Sequence, residues 1–359
     1  MNRGIWGVLW AVGAVTCGWG QGSLTPPGAP GATMRTLLQM APATPITSAP
    51  YTITTPGAYV LASNLVSSGH GLVIQCNYVT VDLNGFAITS TGGGSSYGLF
   101  LEGTDARTVN HVSVRNGSIR GFQTGIWLSR ASGCRFVQVN VMASGTYGIL
   151  LYGGYGFCDG NLFTACNVMG SGGLGVYLSG NGSSASGNAF EECCVSGCAD
   201  RGVQIYRGNG KCEGNRFAGC IIHDNGGYGL ITSGALATDI RDSLIGDNGS
   251  SGIRFDGSSD FNAVVNCLVC ENKTAGIVCS GSDGNRIERN LVSRTGGAAS
   301  VGIASELASA DNLVLRNFCQ GQTNNFSLLA ADTYGPVVTN RGALATGGEA
   351  AHPWANFSR

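Results

Sequence analysis

Three acidic residues fall at near-constant spacing. Asp224, Asp247 and Glu271 are 23 and 24 residues apart, and each is followed directly by asparagine (Asn225, Asn248, Asn272). If that spacing is a structural repeat, the carboxyls stand in successive layers about 5 Å apart. A retaining glycosidase uses carboxyls at that separation, and like charges so close raise one pKa or hold a cation. "DNG" and "ENK" are also ordinary turn sequences, in which the same residues are solvated. Glu192 and Asp242, with Arg241 adjacent, form a second acidic candidate. They lie two repeats apart, roughly 10 Å, at the edge of the range for an inverting pair. His111 and His223 have no serine or cysteine placed to act with them, and structural roles are expected for both. "CCVSGC" (193–198) and "CLVC" (267–270) contain zinc-like spacings, but no histidine lies nearby in a ligand pattern. No metal or cofactor is expected.

These residues need a scaffold that repeats, and the chain supplies one. "NLFTACNVMGSGGLGV" (161–176), "NAFEECCVSGCADRGV" (188–203) and "NRFAGCIIHDNGGYGL" (215–230) keep asparagine, phenylalanine, cysteine and glycine in place. The closing glycine recurs before an aliphatic residue at Gly71, Gly98, Gly125, Gly148, Gly175, Gly202, Gly229, Gly252, Gly276 and Gly302, at intervals of 23 to 27 residues. Within each unit, short apolar alternations are split by Gly, Asn, Ser and Asp. No helical period appears. Units of this length built only from short strands predict an all-β, single-stranded right-handed parallel β-helix of about ten to eleven coils.

Stacked coils place equivalent residues in columns. Phe136, Phe163, Phe190 and Phe217 form one interior column, continued by Ile240, Val264 and Ile287, because a close-packed core needs side chains of like size. Cys166, Cys193 and Cys220 form another, continued by Ser243 and Cys267. These cysteines point inward in parallel, so buried free thiols are expected. Cys158 and Cys212 share a loop position two coils apart, too far for a bridge. Asn225, Asn248 and Asn272 are expected to bond the backbone of adjacent coils.

In the strand after each anchor glycine, the second and fourth residues face outward. With the residue just before the glycine, they give Tyr97, Phe100, Trp127, Tyr147, Tyr152, Tyr177, Tyr206 and Tyr228. A row of aromatic faces suits sugar rings. The same strip could instead be covered by the chain's own Pro-rich N-terminal segment or C-terminal tail, or contact another protein.

Composition limits the alternatives. Charged residues are 11% of the 359, and the formal net charge is −1, with 18 Arg but only two Lys (Lys211 and Lys273). No basic stripe supports a nucleic-acid partner. The start has Arg3, an apolar run from Ile5 to Thr16, then small residues, and reads as a signal peptide (1–20) cut after Gly20. That run is shorter than the ~20 residues a membrane span needs. Lipidation of Cys17 is an alternative that Thr16 fits poorly. Residues 21–50 read as a Pro-rich linker or N-terminal cap, in which "TMRTLLQM" is a short helical turn or cap. Residues 51–330 form the β-helix and 331–359 a C-terminal tail. The expected location is secreted or extracytoplasmic.

"PYTITTPGAYVLASNL" (50–65) and "VTVDLNGFAI" (79–88) resemble the opening of secreted right-handed β-helix proteins of the pectin-lyase-like superfamily. The repeats from Asn161 resemble right-handed β-helix region and NosD-like repeats, and "HPWANFSR" (352–359) resembles the tail of an exported subgroup. The resemblance implies the fold for nearly all of the mature chain. It does not imply an activity, because the fold hosts lyases, hydrolases, epimerases, adhesins and inert scaffolds. Neither an Asp-Pro-His motif nor an Asp-Asp pair occurs, and calcium-binding carboxylates with a basic residue find no match. The expected function is a non-catalytic scaffold that binds a polysaccharide or another cell-surface component along the aromatic strip. The alternative is a polysaccharide lyase or glycoside hydrolase. Oligomeric state is left open.

Overall fold

The coil Leu162–Ser179 shows how sequence becomes structure. Leu162–Thr164, Asn167–Met169 and Leu174–Ser179 are strands. The chain turns between them at Ala165 and Gly170, whose φ of 51° and 65° lie in the left-handed region. Phe163, Cys166, Val168, Val176 and Leu178 point inward and are buried. That alternation is what a strand with one core face requires. The computed structural model describes residues 43–92, 94–294, 300–339 and 348–359. The expected signal peptide, Cys17 and the segment 33–40 lie outside them.

Successive coils pair in parallel and in register. Phe136, Phe163, Phe190, Phe217, Ile240, Val264 and Ile287 are consecutive partners. The four phenylalanine rings stack at centroid distances of 4.5, 4.7 and 5.0 Å. One sheet has 12 strands, from Tyr51–Ile53 to Asn324–Ser327, a second has 24, and Val109–Asn110 pairs with Ala131–Ser132 in a small third sheet. There are thus about twelve coils rather than ten to eleven. The end coils escaped the glycine count because Pro50 and Asn325 stand where the others have the anchor glycine.

The anchor glycines are there for close approach. None of the ten has a positive φ. A Cβ on Gly125 would lie 2.1 Å from Val141 Cγ1 and 2.7 Å from the Gly148 carbonyl oxygen. Gly302 meets the Asn325 oxygen in the same way, at 2.3 Å. Asn325 lies on the last strand of that sheet, where no further strand crowds it.

The cysteine column is more polar than expected. Cys193 Sγ donates to the carbonyls of Phe163 (3.4 Å) and Glu191 (3.3 Å). Ser243 takes the same place, donating to the Arg241 carbonyl (2.7 Å) and accepting from the Cys220 N–H (3.0 Å). The column continues from Cys267 into Asn290, Asn317 and Asn356. Cys158 and Cys212 sit two coils apart with Ala185 between them, and all three are fully buried. Cys212 is therefore core, where the sequence suggested a peripheral loop. All 13 described cysteines are free thiols.

Buried asparagines hold the corners. The N–H groups of Asn225 and Asn248 each donate to the side-chain oxygen one coil on, at 3.2 Å. A second ladder runs Asn161, Asn188, Asn215, which explains the asparagine opening each repeat. A third runs Asn262, Asn285, Asn312 and ends on Asp332. Corner N–H groups that strand pairing leaves unbonded are satisfied this way.

Strands extend beyond the expected limits of 51 and 330. Thr44–Ile46 pairs with Tyr59–Leu61, and Asn356–Ser358 pairs with both the Phe318 and Val337 strands. No helix among the described residues is long and apolar enough to cross a membrane.

Candidate functional site

The aromatic residues lie on the outer face of the 12-stranded sheet, because the residues between them point inward. Leu99, Leu101, Ile126, Leu128, Ile149, Leu151, Val176 and Leu178 fill the core. The outward positions Phe100, Trp127, Leu150, Tyr177 and Gln204 are consecutive partners across coils. Trp127 stacks on Phe100 at 4.8 Å and meets Tyr97 edge-on at 4.4 Å. His70 stacks on Tyr97 at 4.6 Å and accepts from its backbone N–H (3.2 Å). Tyr147 and Tyr177 stack at 5.6 Å, and Tyr152 meets Tyr155 at 5.2 Å. The face is therefore a set of ring clusters interrupted by Leu150. Tyr206 is 38% exposed, whereas Phe100, at 8%, works as the platform under Trp127. Tyr97, Trp127, Tyr147, Tyr152, Tyr177 and Tyr228 are half-buried. Burial pushes the phenols of Tyr97 and Tyr177 up from their ordinary value. The Trp127 indole Nε1 is buried without an acceptor among the described residues.

The acidic triad occupies a corner. Asp224, Asp247 and Glu271 all have left-handed φ (54°, 54° and 53°). They follow Gly170 and Gly197, the residues at the same corner in earlier coils, so turn geometry explains the position. Asp224 accepts from His223 Nδ1 at 2.6 Å, and His223 Nε2 lies 3.8 Å from Cys194 Sγ, so the register between coils does place a cysteine beside this histidine, contrary to the sequence expectation. Glu192 and Asp242 occupy another left-handed corner with Gly219 between them. Asp242 accepts from Asn266 at 2.6 Å, while Arg241 pairs with Asp239 at 2.6 Å. His111 stacks on Tyr78 at 5.1 Å. Cys193 and Cys198 are buried and Cys194 is half-buried. Among the described residues, no group of three or more His, Cys, Asp or Glu is arranged to hold a metal ion.

With this geometry in place, comparison with known proteins assigns the family. The family described as "Right handed beta helix region" matches residues 57–217 and 155–319. The chain belongs to the right-handed beta helix family. The solved structures it resembles include the Azotobacter vinelandii mannuronan C-5 epimerase AlgE6 A-module, with a TM-score of 0.59 and 13% identity over 81% of this chain and 90% of that one. Geobacillus virus E2 ORF18 gives a TM-score of 0.57 at 15% identity, over 75% of this chain and 54% of that one. The Dettilon tailspike protein gives 0.53 at 13%, over 80% and 62%. These likenesses show the right-handed β-helix fold alone. No curated protein matches the sequence.

In this right-handed beta helix chain, sequence reasoning missed two parts of the aromatic face. His70 precedes an anchor glycine as Tyr97 does, so its place in the row was legible. Arg254 was harder to find. It occupies the outward column of Trp127 and Tyr177, donates to Ser280 (2.8 Å), and lies 3.5 Å from both Asp256 and Glu306. Those carboxylates share an outward column with Tyr152 and Tyr206, two coils apart from each other. Only the register between coils brings them to one guanidinium.

Proposed function

We propose that this protein is an exported, non-catalytic β-helix scaffold that binds a polysaccharide along the aromatic face. The observation that carries this reading is the joined ring surface of His70, Tyr97, Phe100 and Trp127, followed two coils on by Tyr177. Flat, partly exposed rings present apolar faces to sugars, and a tyrosine adds a hydroxyl. Coils spaced by roughly 4.8 Å repeat at close to the length of one pyranose unit. The described part of the C-terminal segment pairs in the other sheet, as Asn356–Ser358 does with the Phe318 strand.

A glycan array on the purified protein tests this reading. Trp127→Ala and Tyr177→Ala should each weaken binding to the hits by ~1–2 kcal/mol, beside a stability loss of about 1 kcal/mol from the ring contacts each one makes. Loss of stability with unchanged binding would assign the rings to packing and remove the glycan. A reporter fused to residues 1–30 should be exported and shortened near Gly20. A full-length cytoplasmic product would remove the export claim.

A second reading, a polysaccharide lyase or glycoside hydrolase, is favoured by Asp256 and Glu306 on the same face as Tyr206. It requires new reducing ends or unsaturated uronates from the bound glycan, and their loss in Glu306→Gln.

A further inference from the structure

Among the described cysteines, Cys194 and Cys270 are the two half-buried thiols. Both face outward on the 24-stranded sheet, in the strands Cys194–Ser196 and Leu268–Cys270. Cys193 turns into the core, so strand alternation sends Cys194 out. On the next coil Ile221 stands opposite Cys194, and His223 opposite Ser196. The imidazole reaches across this diagonal and places Nε2 3.8 Å from Cys194 Sγ. Asp224 accepts the Nδ1 proton at 2.6 Å, which leaves the Nε2 lone pair for the thiol. The partners of Cys270 on the adjoining coils are Gly246 and Ser293, and no histidine is among them.

A nucleophile, a base and a group that orients the base thus stand in line at Cys194. Burial raises this thiol above its ordinary value, with a Ser196 hydrogen bond opposing the rise. It rests protonated, and the imidazole is the group placed to take the proton. Burial raises Cys270 as well, and there the charges of Asp247 and Glu271 add to the rise. Cys194 and Cys270 are three coils apart, through Ile221 and Leu244 to Leu268. That is roughly 14 Å, twice the Cα separation a disulfide can span. An adduct on Cys194 therefore has no neighbouring thiol to resolve it. Exposed Asp224 and Asp247 follow His223 and Gly246 on successive coils, and their charge disfavours an anionic reagent.

We propose that Cys194 is a thiol modification site for a small cationic disulfide, with His223 as its base and Asp224 as the positioning residue. The thiol proton passes to His223 Nε2. The Cys194 sulfur attacks one sulfur of the reagent, a new S–S bond forms, and the reagent's own S–S bond breaks. The departing thiolate takes the proton from His223. Cys194 is oxidised to a mixed disulfide, and the departing half is reduced to a thiol. The site lies on a different sheet from the aromatic face and does not depend on that face binding a glycan.

Cystamine added to the folded full chain at neutral pH tests it, with adducts on the Cys194 and Cys270 peptides followed by mass spectrometry. Cys194 should react about tenfold or more faster than Cys270, and faster with cystamine than with oxidised glutathione. His223→Gln should slow Cys194 by about tenfold or more, the loss of a general base, and leave Cys270 unchanged. Asp224→Asn should slow Cys194 by a smaller factor and again spare Cys270. A loosened fold would speed both thiols, so Cys270 separates the base from the scaffold. Equal rates at the two cysteines, or a wild-type rate at Cys194 in His223→Gln, would overturn the site. Faster reaction with oxidised glutathione would overturn the cationic reagent.

Discussion

The Asn225 backbone N–H and side-chain Nδ2 donate to one oxygen, Oδ1 of Asn248, at 3.2 and 3.0 Å. Asn248 repeats the arrangement with Asn272 and donates back to the Ile222 carbonyl at 3.2 Å. Asn248→Ala should therefore strand a buried N–H and cost about 2–4 kcal/mol, since an unsatisfied buried donor forfeits its hydration. Asp247→Asn, one residue earlier and exposed, should change stability by less than about 0.5 kcal/mol. Denaturant melts of the two variants decide, and equal losses would contradict the ladder.

The anchor glycines make a steric prediction. A Cβ on Gly148 would come within 2.2 Å of Val168 Cγ1 and 2.5 Å of the Gly175 oxygen. Gly160, at φ 64°, has nothing within 4 Å. Gly148→Ala should cost roughly 3 kcal/mol or more through overpacking, and Gly160→Ala only the ~1–2 kcal/mol of a left-handed alanine. A larger loss at Gly160 would mean that conformation, and not packing, conserves the shape of the coil.

Buried thiols predict weakness toward base. Burial pushes Cys134 and Cys212 up to about 12 and Cys158 and Cys267 to about 11, from an ordinary 9.0. Above pH 9 the unfolded chain loses these protons and the folded chain keeps them, so stability is full below 9 and falls as pH rises toward 11–12. Each such thiol should remove about 1 kcal/mol between pH 8 and 10. Urea melts across that range measure it, and a flat profile would mean that these thiols are solvated. Native labelling should reach the half-buried Cys194 and Cys270 first. Cys193→Ser should cost no more than ~1 kcal/mol, because Ser243 already finds partners in that column.

Glu288 predicts an acid-side effect. Burial alone would raise its pKa, but hydrogen bonding and charge from Arg286, with Arg289 and Arg316, bring it below the usual carboxylate value. Its contribution is present above the unfolded pKa near 4.5 and is lost as pH falls through the lower folded value. Glu288→Gln should cost about 2 kcal/mol at neutral pH, by leaving clustered guanidiniums without their counter-charge, and should flatten this loss. Unchanged melts at pH 7 would show the cluster to be solvent-screened.

The coil is legible in the pattern of residues along the chain. Spacing of 23 to 27 residues, strand alternation and the matched Phe136–Phe217 and Asn225–Asn272 positions specify a parallel solenoid, because each feature works only when equivalent residues stack. The sequence also placed Trp127 and Tyr177 on the outer face, since strand period fixes which side a residue takes. What each position does was decided by tertiary structure. The chain shows that the anchor glycines recur, and only the 2–3 Å approach of the next coil shows why a Cβ is excluded. Cys212 looked peripheral, and the coil closes over it. Arg254 with Glu306, and Glu288 with Arg316 and Trp354, meet across coils of unequal length. Charge pairs of that kind depend on register and side-chain reach, which no local pattern in the chain encodes.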